Sequence, residues 1–104
     1  MNKLKLEKKE RNKKDKLWRQ AVFEKDCGKC QICGDTDKPN AHHIINRVNR
    51  KFRWEVCNGI LLCSKHHRFS FQMSAHQNPF MFYLWFFENR KEQLSALLKL
   101  LELP

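Results

Sequence analysis

The chain reads as a small α+β fold in which a metal ion ties a β-hairpin to a helix, and three observations predict it. Cys30-Gln-Ile-Cys33 and Cys63-Ser-Lys-His66 each hold two ligand-type residues with two residues between them, a spacing that lets one tight turn present both to a tetrahedral ion. Ala41-His42-His43-Ile44-Ile45 and Gly59-Ile60-Leu61-Leu62-Cys63 are short apolar runs bounded by turn residues, as the two strands of a hairpin would be. A chain of 104 residues is one domain at most and buries a modest core, so a structural metal adds stability that packing alone does not supply.

Each element follows from local chemistry. Residues 1–16 have few apolar side chains, so they form a basic arm that is frayed or an exposed helix. From Leu17 to Lys25, Leu17 and Trp18 recur as Ala21 and Val22 four residues on, which puts them on one helical face packed against the metal unit. Asp26-Cys27-Gly28 ends that helix, because glycine adopts the left-handed backbone that stops one. Cys30 to Gly34 is a zinc knuckle. Cys27-Gly28-Lys29-Cys30 is also a Cys-x-x-Cys pair; Cys30 and Cys33 are preferred because Gly34 stands where the knuckle turns and Cys27 falls at the helix end. Asp35 to Asn40 is a surface turn.

The first strand ends at Asn46, and Arg47, Arg50, Lys51 and Arg53 follow in a loop that is a candidate for binding phosphate. Trp54 and Val56 pack beneath it. Asn58-Gly59 marks a turn into the second strand. From Ser64, a plausible N-cap, a helix runs to about Ala75 with His67 and Phe71 on one face; His76, nine residues after His67, lies about half a turn round from it and is left out of the centre. Asn78-Pro79 is a cap with proline at the first helical position. Phe80 to Phe87 is apolar all round, so it is buried in the domain or against another chain. Leu94, Leu97, Leu98 and Leu101 give a helical face that docks on the domain or forms the seam of a homodimer. The domain limits are therefore 1–16 for the arm, 17–78 for the metal unit and 79–104 for the C-terminal helix or helices.

Charge narrows the partners. The net charge is +10, and residues 1–16 carry eight basic against three acidic side chains, residues 17–78 ten against five, and residues 79–104 three against three. A polyanion, most commonly nucleic acid, is the expected partner, bound mainly through its phosphates. No apolar run approaches the roughly 20 residues of a membrane span and no signal peptide is visible, so a cytoplasmic protein with no membrane partner is expected. Five cysteines in a reducing compartment read as ligands rather than disulfides.

The histidines form two sets. His66 completes a site with Cys30, Cys33 and Cys63, while His42, His43, Asn58 and His67 remain as an inner set beside it. Two adjacent imidazoles in a strand flanked by isoleucines would each need a partner if both were structural. Cys30-x-x-Cys33, Ala41-His-His-Ile44, Asn58-Gly59-Ile60-x-Leu62-Cys63 and Cys63-x-x-His66-His67, in that order, resemble the HNH endonucleases, the ββα-metal or His-Me finger nucleases. The resemblance covers roughly residues 17–72. It implies that His43 is the general base, that His67 and His42 hold the catalytic metal, that Asn58 stands at the end of the hairpin loop, and that His66 replaces the fourth cysteine of the structural zinc site.

Hydrolysis of a phosphodiester needs an activated water, a counter-charge on the phosphate and help for the departing 3′ oxygen. Neutral His43 can take the proton, and a divalent ion on His42 and His67 can supply the charge. Asn58 has no acid–base chemistry and would fix the loop by bonding the backbone or ring of His43. The matched ligands include no carboxylate, so Mg2+, Mn2+, Ni2+, Co2+ and Zn2+ are all candidates. Lys65 and Arg68 join the loop cations as candidates for contacting DNA. Adjacent strand residues point to opposite faces, so His42 and His43 can serve one phosphate only if the strand is strongly twisted or irregular; otherwise one of them is structural.

The expected function is a metal-dependent DNA endonuclease leaving 5′-phosphate and 3′-hydroxyl ends, by nicking or double-strand cleavage. The alternative is a non-catalytic zinc-knuckle module that binds nucleic acid, and a more remote one is an adaptor using the aromatic and leucine-rich C-terminus. The resemblance further implies a bacterial or phage-infected cell and a phage packaging or restriction partner.

Overall fold

A helix of 23 residues, α1 (Lys3–Lys25), leads the chain, with the Asn2 side chain accepting the Lys5 N–H at 2.9 Å as its cap. The computed structural model describes residues 2–102. The arm and the packing helix are thus one element, of which only Trp18 and Val22 are buried. It stops at Asp26 because Cys27 and Gly28 take left-handed backbone angles, φ 56° and 67°. Asp26 then locks the helix end to the sheet: its carboxylate accepts the Leu61 N–H at 2.8 Å and the Lys25 ammonium at 2.8 Å.

Strands β1 (Asn40–His43) and β2 (Gly59–Leu62) pair antiparallel, with His42 opposite Ile60 and His43 opposite Gly59. β1 is shorter than its apolar run suggested. The Ile44 N–H donates to the Asn58 carbonyl and the Ile45 N–H to the Asn58 side chain, which ends the ladder at His43. The sheet separates two cores. Leu61 packs with Trp18 and Val22 under α1, and Ile60 and Leu62 pack with Phe82, Phe86 and Leu97 on the other face. The alternation follows directly from the strand's two-residue period.

Gly59 is where α1 touches down. A Cβ there would lie within 2.7 Å of the Trp18 indole and nearer still to Val22. Gly59→Ala should therefore cost about 1–3 kcal/mol by forcing helix and strand apart, read as a lowered unfolding midpoint; an unchanged midpoint would mean that α1 does not rest on β2.

The predicted helix from Ser64 to about Ala75 is one wide helical turn, Lys65–Phe69. The Ser70 N–H reaches back five residues to the Lys65 carbonyl, and the Ser70 hydroxyl accepts the Met73 N–H. The chain then folds back, so that the Ala75 and His76 N–H groups donate to the His66 and His67 carbonyls. These are acceptors that a continuing helix would have used.

Two C-terminal helices follow, α2 (Pro79–Asn89) and α3 (Lys91–Leu101). Asn78 caps α2 through the Met81 N–H, with Pro79 in the first turn. Phe82 and Phe86 are fully buried, while Phe80, Met81, Leu84 and Phe87 stay exposed in the single chain, so the domain itself covers one face of this segment. On α3, Leu97 is buried and Leu98 and Leu101 are exposed. No described helix is long and apolar enough to cross a membrane.

Candidate metal centres and the histidine cleft

Cys30, Cys33, Cys63 and His66 converge. The knuckle turns at Gly34 (φ 80°), whose N–H donates to the Cys30 carbonyl, and the Gln31 N–H ties it to the Leu61 carbonyl of β2. Cys33 Sγ and Cys63 Sγ are 3.7 Å apart, and His66 Nδ1 lies 3.3 Å from Cys63 Sγ and 3.7 Å from Cys30 Sγ. Tetrahedral zinc with Zn–S near 2.3 Å separates two sulfurs by about 3.8 Å and sulfur from nitrogen by about 3.5 Å. These distances and the three-sulfur, one-nitrogen donor set fit such an ion. Cys27 is exposed and outside the cluster, which settles the choice between the two Cys-x-x-Cys pairs. Burial pushes the Cys63 thiol up to about 11, so an entering metal must displace a firmly held proton, and loading weakens as pH falls.

The second cluster joins His42 and His67 with His76. His67 Nε2 and His76 Nε2 are 3.0 Å apart, and the His42 ring sits edge-on to both, with centroids 5.1 and 5.2 Å away. The exclusion of His76 is therefore corrected: it assumed a continuous helix, and the fold-back after Ser70 returns the residue to His67. Ser70 and Ser74, which compete for backbone hydrogen bonds through their hydroxyls, were the available signal. Burial and the neighbouring imidazoles hold His42 down to about 3, and burial, His76 and Arg68 hold His67 down to about 4. At neutral pH these rings are uncharged, the form a divalent ion binds.

His43 points to the opposite face, as a regular strand requires. Its ring stacks on Trp18 with centroids 3.8 Å apart and planes 6° from parallel, while His42 lies against Phe82 on the far face. Even so, His42 and His43 border one open cleft of about 330 Å³ at the strand end, together with His67, His76, Arg47 and Arg68. The strand is regular and the two rings leave it on opposite faces, yet both line the cleft at its end. His43 Nε2 donates to the Arg53 carbonyl at 3.0 Å, which fixes the neutral tautomer and leaves Nδ1 as an acceptor. Burial lowers the basicity of His43, partly offset by that carbonyl.

Asn58 is fully buried, but it holds the loop rather than His43. Its side chain bonds the Ile45 N–H and carbonyl and the Phe52 carbonyl. Of the loop cations, Arg53 turns inward to Asp15, while Arg47, Arg50 and Lys51 are exposed, as are Lys65 and Arg68 on the helical turn. Asp15, Trp18 and Asp26 were not singled out in the sequence as site residues, because their partners lie far along the chain: the Arg53 and Trp54 side chains for Asp15, the Glu55 carbonyl for Trp18 and the Leu61 N–H for Asp26.

An antiparallel hairpin, a following helical turn, histidines on both and a cysteine-rich cluster at their base form a small α+β unit, consistent with the ββα-metal fold, whose two clusters could each hold a metal ion. Residues 30–74 match the family model for HNH endonucleases, a match that takes in the whole cysteine cluster and two of its three neighbouring histidines and suggests a nuclease-type function on nucleic acid. No curated protein and no solved structure matches the chain.

Proposed function

We propose that the protein is a metal-dependent endonuclease that hydrolyses DNA phosphodiester bonds to 5′-phosphate and 3′-hydroxyl ends, with His43 as general base. The observation that carries this reading is the single cleft bordered by a neutral, tautomer-fixed imidazole on one side and three neutral imidazoles on the other. His42, His67 and His76 would hold the catalytic ion, and Cys30, Cys33, Cys63 and His66 a structural zinc. When bound, the catalytic ion supplies positive charge to the phosphate and to the departing oxygen. His43 takes the water's proton at Nδ1, since Nε2 already carries one for the Arg53 carbonyl. Arg47 and Arg68 at the cleft bring the backbone in, and Arg50, Lys51 and Lys65 extend the phosphate contacts. Arg53 contributes less to them than its charge suggests, because Asp15 already matches it. Asn58 keeps the loop rigid and performs no proton transfer.

The all-imidazole set favours Ni2+, Zn2+ or Co2+ over Mn2+ and Mg2+, which prefer oxygen ligands. Supercoiled plasmid incubated with the protein and each of these ions should be nicked or linearised, leaving ends that ligase rejoins without a kinase. A protein that retains its zinc, binds DNA and cuts with none of the ions would be the non-catalytic nucleic-acid-binding module instead.

A further inference from the structure

We infer that Asp15 and Trp18 of α1, both outside the HNH-matched segment, are positioning residues that fix the ring of His43. This rests on the proposed role of His43.

The two residues are three apart on α1, so they share a helix face, and each reaches the base by a separate route. Trp18 covers one face of the imidazole and donates its indole N–H to the Glu55 carbonyl at 2.8 Å, so the stacking ring is itself pinned to the loop. Asp15 takes the Arg53 guanidinium in a two-pronged bond of 3.0 and 2.8 Å and also accepts the Trp54 indole N–H at 2.9 Å. Such a charged fork fixes direction as well as distance. The backbone thus held is the one whose Arg53 carbonyl accepts the His43 Nε2–H. From the other side, Asn58 holds the Phe52 carbonyl one residue earlier at 3.1 Å.

A ring that must offer Nδ1 to a water needs both its plane and its tautomer fixed. Trp18 sets the plane, and the Asp15–Arg53 fork sets the carbonyl that chooses the tautomer. Simple core packing would explain the buried indole. It does not explain a carboxylate placed to bond the side chains of Arg53 and Trp54 together.

The test compares Asp15→Asn, Trp18→Leu and Trp18→Phe in the full chain. At saturating DNA, Asp15→Asn should lower the single-turnover rate by about 10- to 100-fold, the scale of a misplaced catalytic group, with DNA affinity changed less than about twofold. Trp18→Leu should do the same, and Trp18→Phe, which keeps a flat ring, should recover most of the loss. Nitrogen-15 shifts of His43 give a readout independent of cleavage: the Nε2–H tautomer should dominate in the wild type and lose that dominance in Asp15→Asn. If Trp18→Leu does not fold, the Asp15→Asn arm decides alone. Rates and tautomer both unchanged in Asp15→Asn would overturn the inference. If the wild type cuts no DNA, the nuclease reading fails separately, and the tautomer decides whether α1 still orients the ring.

Discussion

Substituting alanine for His43 is expected to lower metal-dependent cleavage by about 10²- to 10⁴-fold, the usual contribution of a positioned general base, while DNA affinity and zinc content stay near those of the wild type. The ring is not part of either metal cluster, so its removal should cost no ligand. Its neighbour Trp18 would lose a stacking partner, which costs at most about 1.5 kcal/mol of packing and leaves the fold in place. Single-turnover rates at saturating DNA, with anisotropy measured on the same preparations, separate chemistry from binding. Equal rates in variant and wild type would remove His43 from the reaction.

The second large effect is expected at Cys33, whose surroundings would otherwise predict almost none. Cys33 is exposed, and exposed substitutions away from special features usually change stability by within about 0.5 kcal/mol. As one of four zinc ligands it should behave differently. Structural zinc sites bind with apparent free energies on the order of 10–16 kcal/mol, comparable to the whole stability of a small domain. Cys33→Ala should therefore lose zinc and with it cooperative unfolding, monitored by metal analysis and circular dichroism. A variant that stays folded and zinc-loaded would show that the knuckle does not hold the ion.

How much of this was legible in the sequence depends on whether the signal was local. The knuckle, the hairpin and the Asn78-Pro79 helix start are written in spacings of a few residues, and all three appear. Where a residue's partner lay far along the chain, sequence reasoning fell short. His76 was excluded because the helix was extended through Ser70, although two serines and the fold-back to the His66 and His67 carbonyls end it there. Asn58 was given to His43 but bonds Ile45 and Phe52, since a side chain's reach does not say which loop atom it will meet. Arg53 was counted among the open cations, although its partner Asp15 stands 38 residues earlier in what looked like a featureless basic arm. The apolar stretch from Phe80 to Phe87 reads as buried in the domain or against another chain; within the single chain Phe82 and Phe86 are buried and Phe80, Leu84 and Phe87 are exposed.

The most direct test of two clusters with separate duties is a count of divalent ions per chain by native mass spectrometry, paired with cleavage assays on the same samples. Two ions are expected in the wild type, with loss of the exchangeable one together with cleavage in His67→Ala, and loss of the tightly held one together with the fold in Cys33→Ala. A wild type that cleaves DNA with only the cysteine-bound ion, or a His67→Ala variant that keeps both its ions and its activity, would contradict that separation of duties.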